Sequence, residues 1–216
     1  EPRGLAEAFV IGAGFIGNGG VCLILGDNIF YGQDLTSKLR EAIDIIEGNG
    51  RIAGPEAVIF GYPVKNPSEF GVVEFDCDKK VISIEEKPSN PRSNFAVPGL
   101  YFYSNGVIEI AKKISPSARG ELEITAVNNE YLKRGTLRVS LFGRGFAWLD
   151  TGTPYGMLKA SEFIETMQSR QGFYISCPEE ISWRRGFISK EQLLKLGNEL
   201  EMTDYGKYIL SLADER

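Results

Sequence analysis

Short apolar segments of strand length alternate along this chain with segments whose apolar residues recur at helical spacing. Residues 21–25 and 57–62 are apolar runs typical of the buried strands of a parallel sheet, and Leu35–Ile46 between them has one apolar face. Residues 70–75 and 81–84 flank a polar turn and predict a hairpin. The alternation, with hairpin strands added, predicts an α/β fold with a mixed sheet.

The domain organisation is predicted from the same pattern. Strand and helix segments continue along the 216-residue chain to a long helix that Thr153 and Pro154 begin, as an N-cap followed by proline. The last part of the chain predicts only small helices. We therefore expect a core over residues 1–172 and a small helical region over residues 173–216.

Composition excludes several classes of function. The chain has no histidine, so neither His-ligated zinc nor an imidazole base is available. A net charge of −5 disfavours nucleic-acid binding, and no apolar run approaches the ~20 residues of a membrane span. The N-terminus, with Glu1 and Arg3, does not predict a signal peptide. Three separated cysteines, Cys22, Cys77 and Cys177, fit a reducing compartment.

Residues 12–17 match the G-x-G-x-x-G fingerprint of dinucleotide-binding proteins. That fingerprint requires a helix that begins within the glycines, so that its amide end meets a pyrophosphate. Here a strand is predicted four residues after Gly17, which leaves no room for such a helix. A dinucleotide-dependent oxidoreductase is therefore the least favoured interpretation.

Charged residues occur where predicted strands end or a predicted helix begins. Asp27 and Asp150 each follow a strand, Glu86 and Lys87 follow the hairpin, and Arg119 precedes a helix. Taken one at a time, each position is also ordinary turn or cap chemistry. Together they suit Mg²⁺-assisted phosphoryl or nucleotidyl transfer, which needs positioning and charge neutralisation more than a nucleophilic side chain.

Seven motifs, in collinear order over nearly the whole chain, resemble those of glucose-1-phosphate thymidylyltransferases. They are Leu-Gly-Asp-Asn (25–28), Phe-Gly-Val-Val-Glu-Phe (70–75), Glu-Glu-Lys-Pro (85–88), Gly-Leu-Tyr-Phe-Tyr (99–103), Arg-Gly-Glu-Leu-Glu-Ile-Thr (119–125), Trp-Leu-Asp-Thr-Gly-Thr (148–153) and Cys-Pro-Glu-Glu-Ile (177–181). The resemblance implies a Rossmann-like nucleotidyltransferase fold with three α/β/α layers. It also implies transfer of a thymidylyl group from dTTP to glucose 1-phosphate, which gives dTDP-glucose and pyrophosphate.

The resemblance further implies Mg²⁺ as cofactor, a bacterial cytoplasmic homotetramer and a role towards dTDP-rhamnose and surface polysaccharide. It assigns site residues one by one. Asp27 and Asp150 match the Mg²⁺ ligands, and Lys87 and Arg119 match the groups that bind the sugar phosphate. Glu86 and Asn28 match residues at the sugar, and Gly4 and Leu5 match the loop at the thymine base. The remaining positions match the pocket lining: Gly71, Val97, Tyr101 and Trp148. Residues 177–181 resemble part of a second, regulatory nucleotide site.

The sequence departs from the family pattern in three places. Phe70 stands where the family usually has a tyrosine beside the sugar, so one hydroxyl contact is lost. The connection at residues 47–56 is longer than usual. The family's glycine-rich phosphate loop, with its Thr-Arg and following Lys, does not occur here. We therefore expect a fragment that lacks the N-terminal phosphate-loop strands and does not catalyse thymidylyl transfer alone.

Two alternatives remain open. A nucleotidylyltransferase for another base, such as UTP or CTP, needs the same site, and Gly4 and Leu5 are too short a sample of the base loop to exclude it. A non-catalytic sugar-nucleotide binding subunit would also fit a chain without the phosphate loop.

Overall fold

The structure, a computed structural model, describes residues 3–48 and 54–214. The chain divides into two compact units, Glu1–Gly152 and Thr153–Arg216. The boundary predicted between residues 172 and 173 lies one helix further along the chain than this division. Residues 49–53, part of the long connection predicted at residues 47–56, lie outside the described ranges.

The described part of the N-terminal unit contains nine strands. Their bounds are Val21–Ile24 (β1), Asn28–Tyr31 (β2), Ala57–Pro63 (β3), Gly71–Phe75 (β4), Val81–Glu86 (β5), Phe95–Ala96 (β6), Leu100–Tyr103 (β7), Leu137–Leu141 (β8) and Ala147–Asp150 (β9). The α-helices are Glu7–Ile11 (α1), Ala13–Ile16 (α2), Leu35–Ile46 (α3), Val107–Ala111 (α4) and Ile124–Arg134 (α5).

Seven of the strands form one mixed sheet. Its order is β1-β7-β3-β6-β4-β5, and β8 lies parallel to β3 beside this path. The other pairings are antiparallel, and they include the predicted hairpin of β4 and β5. The expectation that residues 21–25 form a fully buried parallel strand is wrong. β1 pairs antiparallel with β7 at the end of the sheet and exposes Cys22 and Ile24, because an apolar run alone does not show which faces are covered.

The sheet lies between two helical layers, as predicted. On β3, Ile59 packs into a core that α1, α4 and α5 share, whereas Phe60 packs on the opposite face towards α3. On β7, Tyr101 packs into the same core as Ile59, and Phe102 packs into the same core as Phe60. Because successive residues of a strand point to opposite faces, the central strands are buried on both sides and contain few polar residues.

A second, two-stranded sheet positions the functional site. β2 pairs antiparallel with β9, and Asn28 lies opposite Asp150. The sequence did not predict β2, because its four residues are half-buried without alternation. This pairing brings the loop after β1 against the end of β9.

The glycines at residues 12–17 enclose only the four-residue helix α2. Gly17 ends this helix with a φ of 57°, and β1 begins four residues later. As predicted, they form a helix end and a connector rather than a pyrophosphate-binding turn.

The C-terminal unit is helical. Its helices are Pro154–Gln171 (α6), Pro178–Arg184 (α7), Lys190–Glu199 (α8) and Asp204–Leu212 (α9). α6 begins where Thr153 and Pro154 predict it, and the Thr153 hydroxyl accepts a hydrogen bond from the Gly156 N–H at 3.0 Å. Within the described ranges, no helix has the length and apolar character needed to cross a membrane.

Candidate active site

A cleft of about 190 Å³ opens in the N-terminal unit, where strand ends meet the loop before α5. Most of the predicted site residues line it: Leu5, Asn28, Gly71, Glu86, Lys87, Val97, Tyr101, Arg119, Trp148 and Asp150. The other two predicted residues, Gly4 and Asp27, are chain neighbours of lining residues. The fold therefore gathers residues from seven separated segments at one place.

Asp27 and Asp150 converge at one edge of the cleft. The Thr151 N–H donates a hydrogen bond to the Asp27 carbonyl at 2.8 Å, next to the Asn28–Asp150 pair of β2 and β9. A Cβ atom built on Gly152 would lie 3.0 Å from Asp150 Oδ1 and 3.3 Å from Asp27 Oδ2. The two carboxylates thus share the space over Gly152, which a side chain at that position would fill.

The donor chemistry of this pair fits a hard divalent cation. Asp27 Oδ1 accepts from the Asn28 amide and Asp150 Oδ1 from the Gly152 N–H, each at 2.8 Å. Neither Oδ2 atom has a hydrogen-bond partner among the described residues. In residues 3–48 and 54–214, no group of three or more His, Cys, Asp or Glu could hold a metal. Two carboxylates completed by substrate oxygens and water are a usual Mg²⁺ shell.

The Asn28 side chain holds three parts of the site together. Its Oδ1 accepts from Trp148 Nε1 at 2.7 Å and from the Gly99 N–H at 2.9 Å, and its Nδ2 donates to Asp27. Asn28 therefore orients the carboxylate, the indole and the Gly99 loop at once. One amide proton remains for a ligand.

Lys87 provides a second cation at the cleft. It lines the cleft, and its ammonium forms no ion pair within the part of the chain that the structure describes. Its φ is 41°, a conformation that few residues other than glycine adopt, and its N–H donates to the Phe70 carbonyl at 3.0 Å. Such backbone strain is typical of functional positions.

Arg119 lies among three carboxylates. Its Nη1 is 3.7 Å from Glu86 Oε1 and 3.6 Å from Glu123 Oε1, and its Nη2 is 3.3 Å from Glu121 Oε1. The Ser117 hydroxyl accepts from the Arg119 N–H at 3.1 Å and donates to Glu123 at 2.9 Å. These contacts hold the guanidinium at the cleft, and their length leaves room for a stronger, bidentate partner.

Glu86 lies at the end of β5, opposite Gly71 on β4. Its Oε2 accepts from the Thr125 hydroxyl at 2.5 Å. A Cβ atom on Gly71 would lie 3.2 Å from Thr125 Oγ1 and 3.3 Å from Glu86 Oε2. Glycine therefore keeps this carboxylate accessible from the cleft, and the Val97 N–H fixes the Gly71 carbonyl at 2.8 Å.

Aromatic rings form one wall of the cleft. Phe70 meets Trp148 edge to face at 4.9 Å, and Tyr62 supports Trp148 at 5.7 Å. Tyr101 stacks on Tyr103 at 6.2 Å, and burial, with the nearby Glu86 charge, raises its pKa well above the ordinary range. Its phenol is therefore neutral.

Gly4 positions Leu5 through the backbone. Gly4 has a φ of 124°, and a Cβ there would lie 2.5 Å from the Leu122 nitrogen. The Leu122 N–H donates to the Arg3 carbonyl at 2.7 Å, and the Ala6 N–H donates to the Leu122 carbonyl at 3.1 Å. The segment thus lies against the start of α5, and Leu5 borders the cleft.

The motif at residues 177–181 makes contacts inside the C-terminal unit. The Tyr205 hydroxyl donates to Glu179 at 2.5 Å, and the Tyr208 hydroxyl donates to Glu180 at 2.5 Å. Cys177 is buried in the core of this unit. These two hydrogen bonds connect the start of α7 to α9.

Sequence reasoning gave no role to several residues that the structure brings to the cleft or next to it. Thr125, Glu121 and Glu123 all lie within the motif at residues 119–125, yet only Arg119 received a role. Glu121 and Glu123 line the cleft, and Thr125 contacts it through its hydrogen bond to Glu86; their place beside Arg119 in one motif was the available signal.

Comparison with known proteins assigns the class. A family model described as nucleotidyl transferase matches residues 1–167, more than three quarters of the chain. The protein is thus a nucleotidyltransferase.

Curated relatives narrow the class further. The chain is 52% identical to a glucose-1-phosphate thymidylyltransferase of Neisseria gonorrhoeae over 212 residues, which cover 98% of this chain and 71% of the relative. It is 53% identical to the Mycolicibacterium smegmatis enzyme of the same name over 214 residues, 99% of this chain and 71% of the relative. The chain belongs to the glucose-1-phosphate thymidylyltransferase family, whose members form dTDP-glucose from dTTP and glucose 1-phosphate.

Solved structures share the fold. A Bacillus anthracis structure that carries the same enzyme name, in complex with sucrose, aligns with a TM-score of 0.65 at 37% identity over 76% of this chain and 61% of that chain. A UDP-glucose pyrophosphorylase aligns with a TM-score of 0.66 at 23% identity over 77% of this chain and 64% of that chain, which shows a common fold alone. This chain spans less than two thirds of either solved chain. The predicted Rossmann-like nucleotidyltransferase fold is confirmed.

Proposed function

We propose that the cleft binds glucose 1-phosphate with its sugar against Glu86 and its phosphate between Lys87 and Arg119, beside a Mg²⁺ ion on Asp27 and Asp150. The convergence of the two aspartates next to the two cations carries this proposal. Mg²⁺-assisted transfer to a phosphate needs these groups within one cleft.

The sugar end is proposed from acceptor chemistry. Glu86 offers carboxylate lone pairs to sugar hydroxyls, which are donors, and Gly71 leaves the approach open. Trp148 offers an apolar surface beside the carboxylate, and Asn28 holds its indole. An apolar wall with a few placed polar groups is typical of small-molecule sites.

The phosphate end is proposed from charge. Among the described residues, five carboxylates line the cleft against two cations, Lys87 and Arg119. An anionic substrate is therefore repelled by the cleft unless both cations face its phosphate and a bound metal adds positive charge. Lys87 acts as a point charge, and Arg119 exchanges part of its carboxylate contacts for a bidentate phosphate.

The reaction is an in-line attack of a sugar-phosphate oxygen on the α-phosphorus of dTTP, with pyrophosphate as leaving group. Lys87 and Arg119 hold the attacking phosphate, and Asn28 keeps Asp27 in position beside Asp150. When bound, Mg²⁺ supplies charge neutralisation to the reacting phosphates. We propose that the thymine base lies near Leu5. From the family pattern we also propose that the protein acts in the cytoplasm as a homotetramer.

Ligand binding by the purified chain tests this function. Trp148 and Trp183 are the two tryptophans of the chain, so a Trp183→Phe background makes Trp148 fluorescence report the cleft. We expect glucose 1-phosphate, with Mg²⁺, to change this fluorescence, and dTTP to compete with dTDP-glucose better than UTP or CTP does. Glu86→Gln should weaken sugar binding, whereas Glu162→Gln on the surface of α6 should not.

Three other results would decide against the proposal. No binding of glucose 1-phosphate removes the substrate assignment. Stronger competition by UTP or CTP favours a transferase for another base. Tight binding of dTDP-glucose, without pyrophosphate release by a chain that carries a family phosphate loop, favours a non-catalytic binding subunit.

A further inference from the structure

Thr125 connects the first turn of α5 to the end of β5. Its hydroxyl donates to Glu86 Oε2 at 2.5 Å, and Thr125 is 6% exposed. A threonine hydroxyl in a helix ordinarily bonds within its own helix or to water. Here it is used for a contact with a residue 39 positions earlier in the chain.

A second contact shows that α5 and β5 are in register. The Asn129 amide donates to the Ile84 carbonyl at 2.9 Å. Thr125 and Asn129 are four residues apart on a helix, a rise of about 6 Å. Ile84 and Glu86 are two residues apart on a strand, roughly 6.6 Å. The matching spacing lets both contacts form, so the position of Thr125 follows from the packing of α5 on β5.

The Thr125 contact fixes a carboxylate that is otherwise free to rotate. The last torsion of a glutamate side chain is broad, so an unpartnered carboxylate samples many orientations. The other oxygen of Glu86 has, in the part of the chain that the structure describes, only the 3.7 Å approach of Arg119. The Thr125 hydroxyl therefore decides which lone pairs of Glu86 face the opening over Gly71.

We infer, on the basis of the proposed function, that Thr125 is a positioning residue for sugar recognition. It holds the Glu86 carboxylate so that its remaining lone pairs accept a hydrogen bond from one sugar hydroxyl. Thr125 does not itself line the cleft, so it acts through Glu86. Loss of a well-oriented hydrogen bond between a charged acceptor and a ligand hydroxyl lowers affinity by roughly tenfold.

Three variants of the chain separate positioning from a structural role. Thr125→Val removes the hydroxyl, Thr125→Ser restores it, and Asn129→Ala removes the hydrogen bond to the Ile84 carbonyl without touching Glu86. We expect Thr125→Val to raise the Kd of glucose 1-phosphate about tenfold. Thr125→Ser should recover most of the affinity, and Asn129→Ala should lower Tm with little change in Kd.

Monodeoxy analogues of glucose 1-phosphate give a readout that a structural role does not move. For the analogue that lacks the hydroxyl bound by Glu86, the unsubstituted chain and Thr125→Val should bind alike, because the affected contact is already absent. The inference is overturned if Thr125→Val weakens the binding of every analogue equally. It is also overturned if Thr125→Val and Asn129→Ala change the Kd equally. Failure of the unsubstituted chain to bind glucose 1-phosphate overturns the proposed function as well.

Discussion

Asn28 accepts a hydrogen bond from the indole of Trp148 at 2.7 Å, across 120 positions of sequence. The same amide holds Asp27 and the Gly99 loop. One side chain thereby links the carboxylate proposed for the metal to the wall proposed for the sugar. The contact exists because β2 and β9 pair with Asn28 opposite Asp150.

Loss of this amide should destabilise the unit and loosen the site. Asn28→Ala leaves the Trp148 and Gly99 N–H groups without acceptors, at a cost of about 1–3 kcal/mol each. We expect Tm to fall by roughly 4–10 °C in thermal unfolding. Asn198→Ala, at an exposed position of α8, serves as control. Equal Tm values for Asn28→Ala and this control would contradict the structural role of the amide.

Removal of the divalent metal should weaken phosphate binding. The cleft has an excess of carboxylates, so chelation should raise the Kd of glucose 1-phosphate at least about tenfold. Titration calorimetry with Mg²⁺ should show weaker metal binding in Asp27→Asn and Asp150→Asn. Glu162→Gln changes the net charge equally at a surface ion pair and should have no effect. Unchanged Mg²⁺ binding in both aspartate variants would remove these residues from the metal site.

Arg119→Ala should weaken the binding of glucose 1-phosphate far more than the binding of dTTP, because the guanidinium is proposed to hold only the sugar phosphate. We expect at least about a tenfold rise in Kd for glucose 1-phosphate. Arg138→Ala is a matched control: its side chain is 46% exposed against 43% for Arg119, and it also pairs with a glutamate. An equal loss for both ligands would indicate a structural role for Arg119.

Alanine substitutions at Gly4 and Gly120 distinguish the cost of backbone strain from the cost of a steric clash with the backbone. Both have positive φ, but a Cβ on Gly120 meets nothing within 4 Å, whereas one on Gly4 meets the Leu122 backbone at 2.5 Å. Gly120→Ala should cost only the left-handed strain, about 1–2 kcal/mol. Gly4→Ala should lower Tm further and displace Leu5, which dTTP titration should detect. Similar Tm losses in the two variants would rule out the clash.

The C-terminal unit should lose stability in acid through Glu179. The hydrogen bond from the Tyr205 hydroxyl lowers the pKa of Glu179 below its ordinary value. A lowered folded-state pKa stabilises the folded form above the unfolded pKa, and this contribution is lost as pH falls through the folded pKa. Tyr205→Phe should therefore reduce Tm at neutral pH, with the difference shrinking below about pH 4.

Tyr155→Phe removes a hydroxyl from a tyrosine that is 70% exposed and serves as control for this pH series. A Tm difference between Tyr205→Phe and the unsubstituted chain that stays constant down to the acid transition would exclude Glu179 as the titrating group.

Local patterns determined much of this protein. Apolar periodicity and the cap at Thr153 predicted the hairpin, α3, α6 and the mixed sheet, because strand and helix periods and caps depend on neighbouring residues. The family resemblance assigned twelve site residues, and ten of them line one cleft.

Only the tertiary structure decided how the site is held. The pairing of β2 with β9, the approach of Arg119 to Glu86 and the contact of Thr125 with Glu86 join residues that are distant in sequence. β1 shows the same limit, because its apolar run predicted burial on both faces, yet one face is exposed. Periodicity states which side of an element is apolar, whereas the partner of that side is chosen by packing among all elements at once.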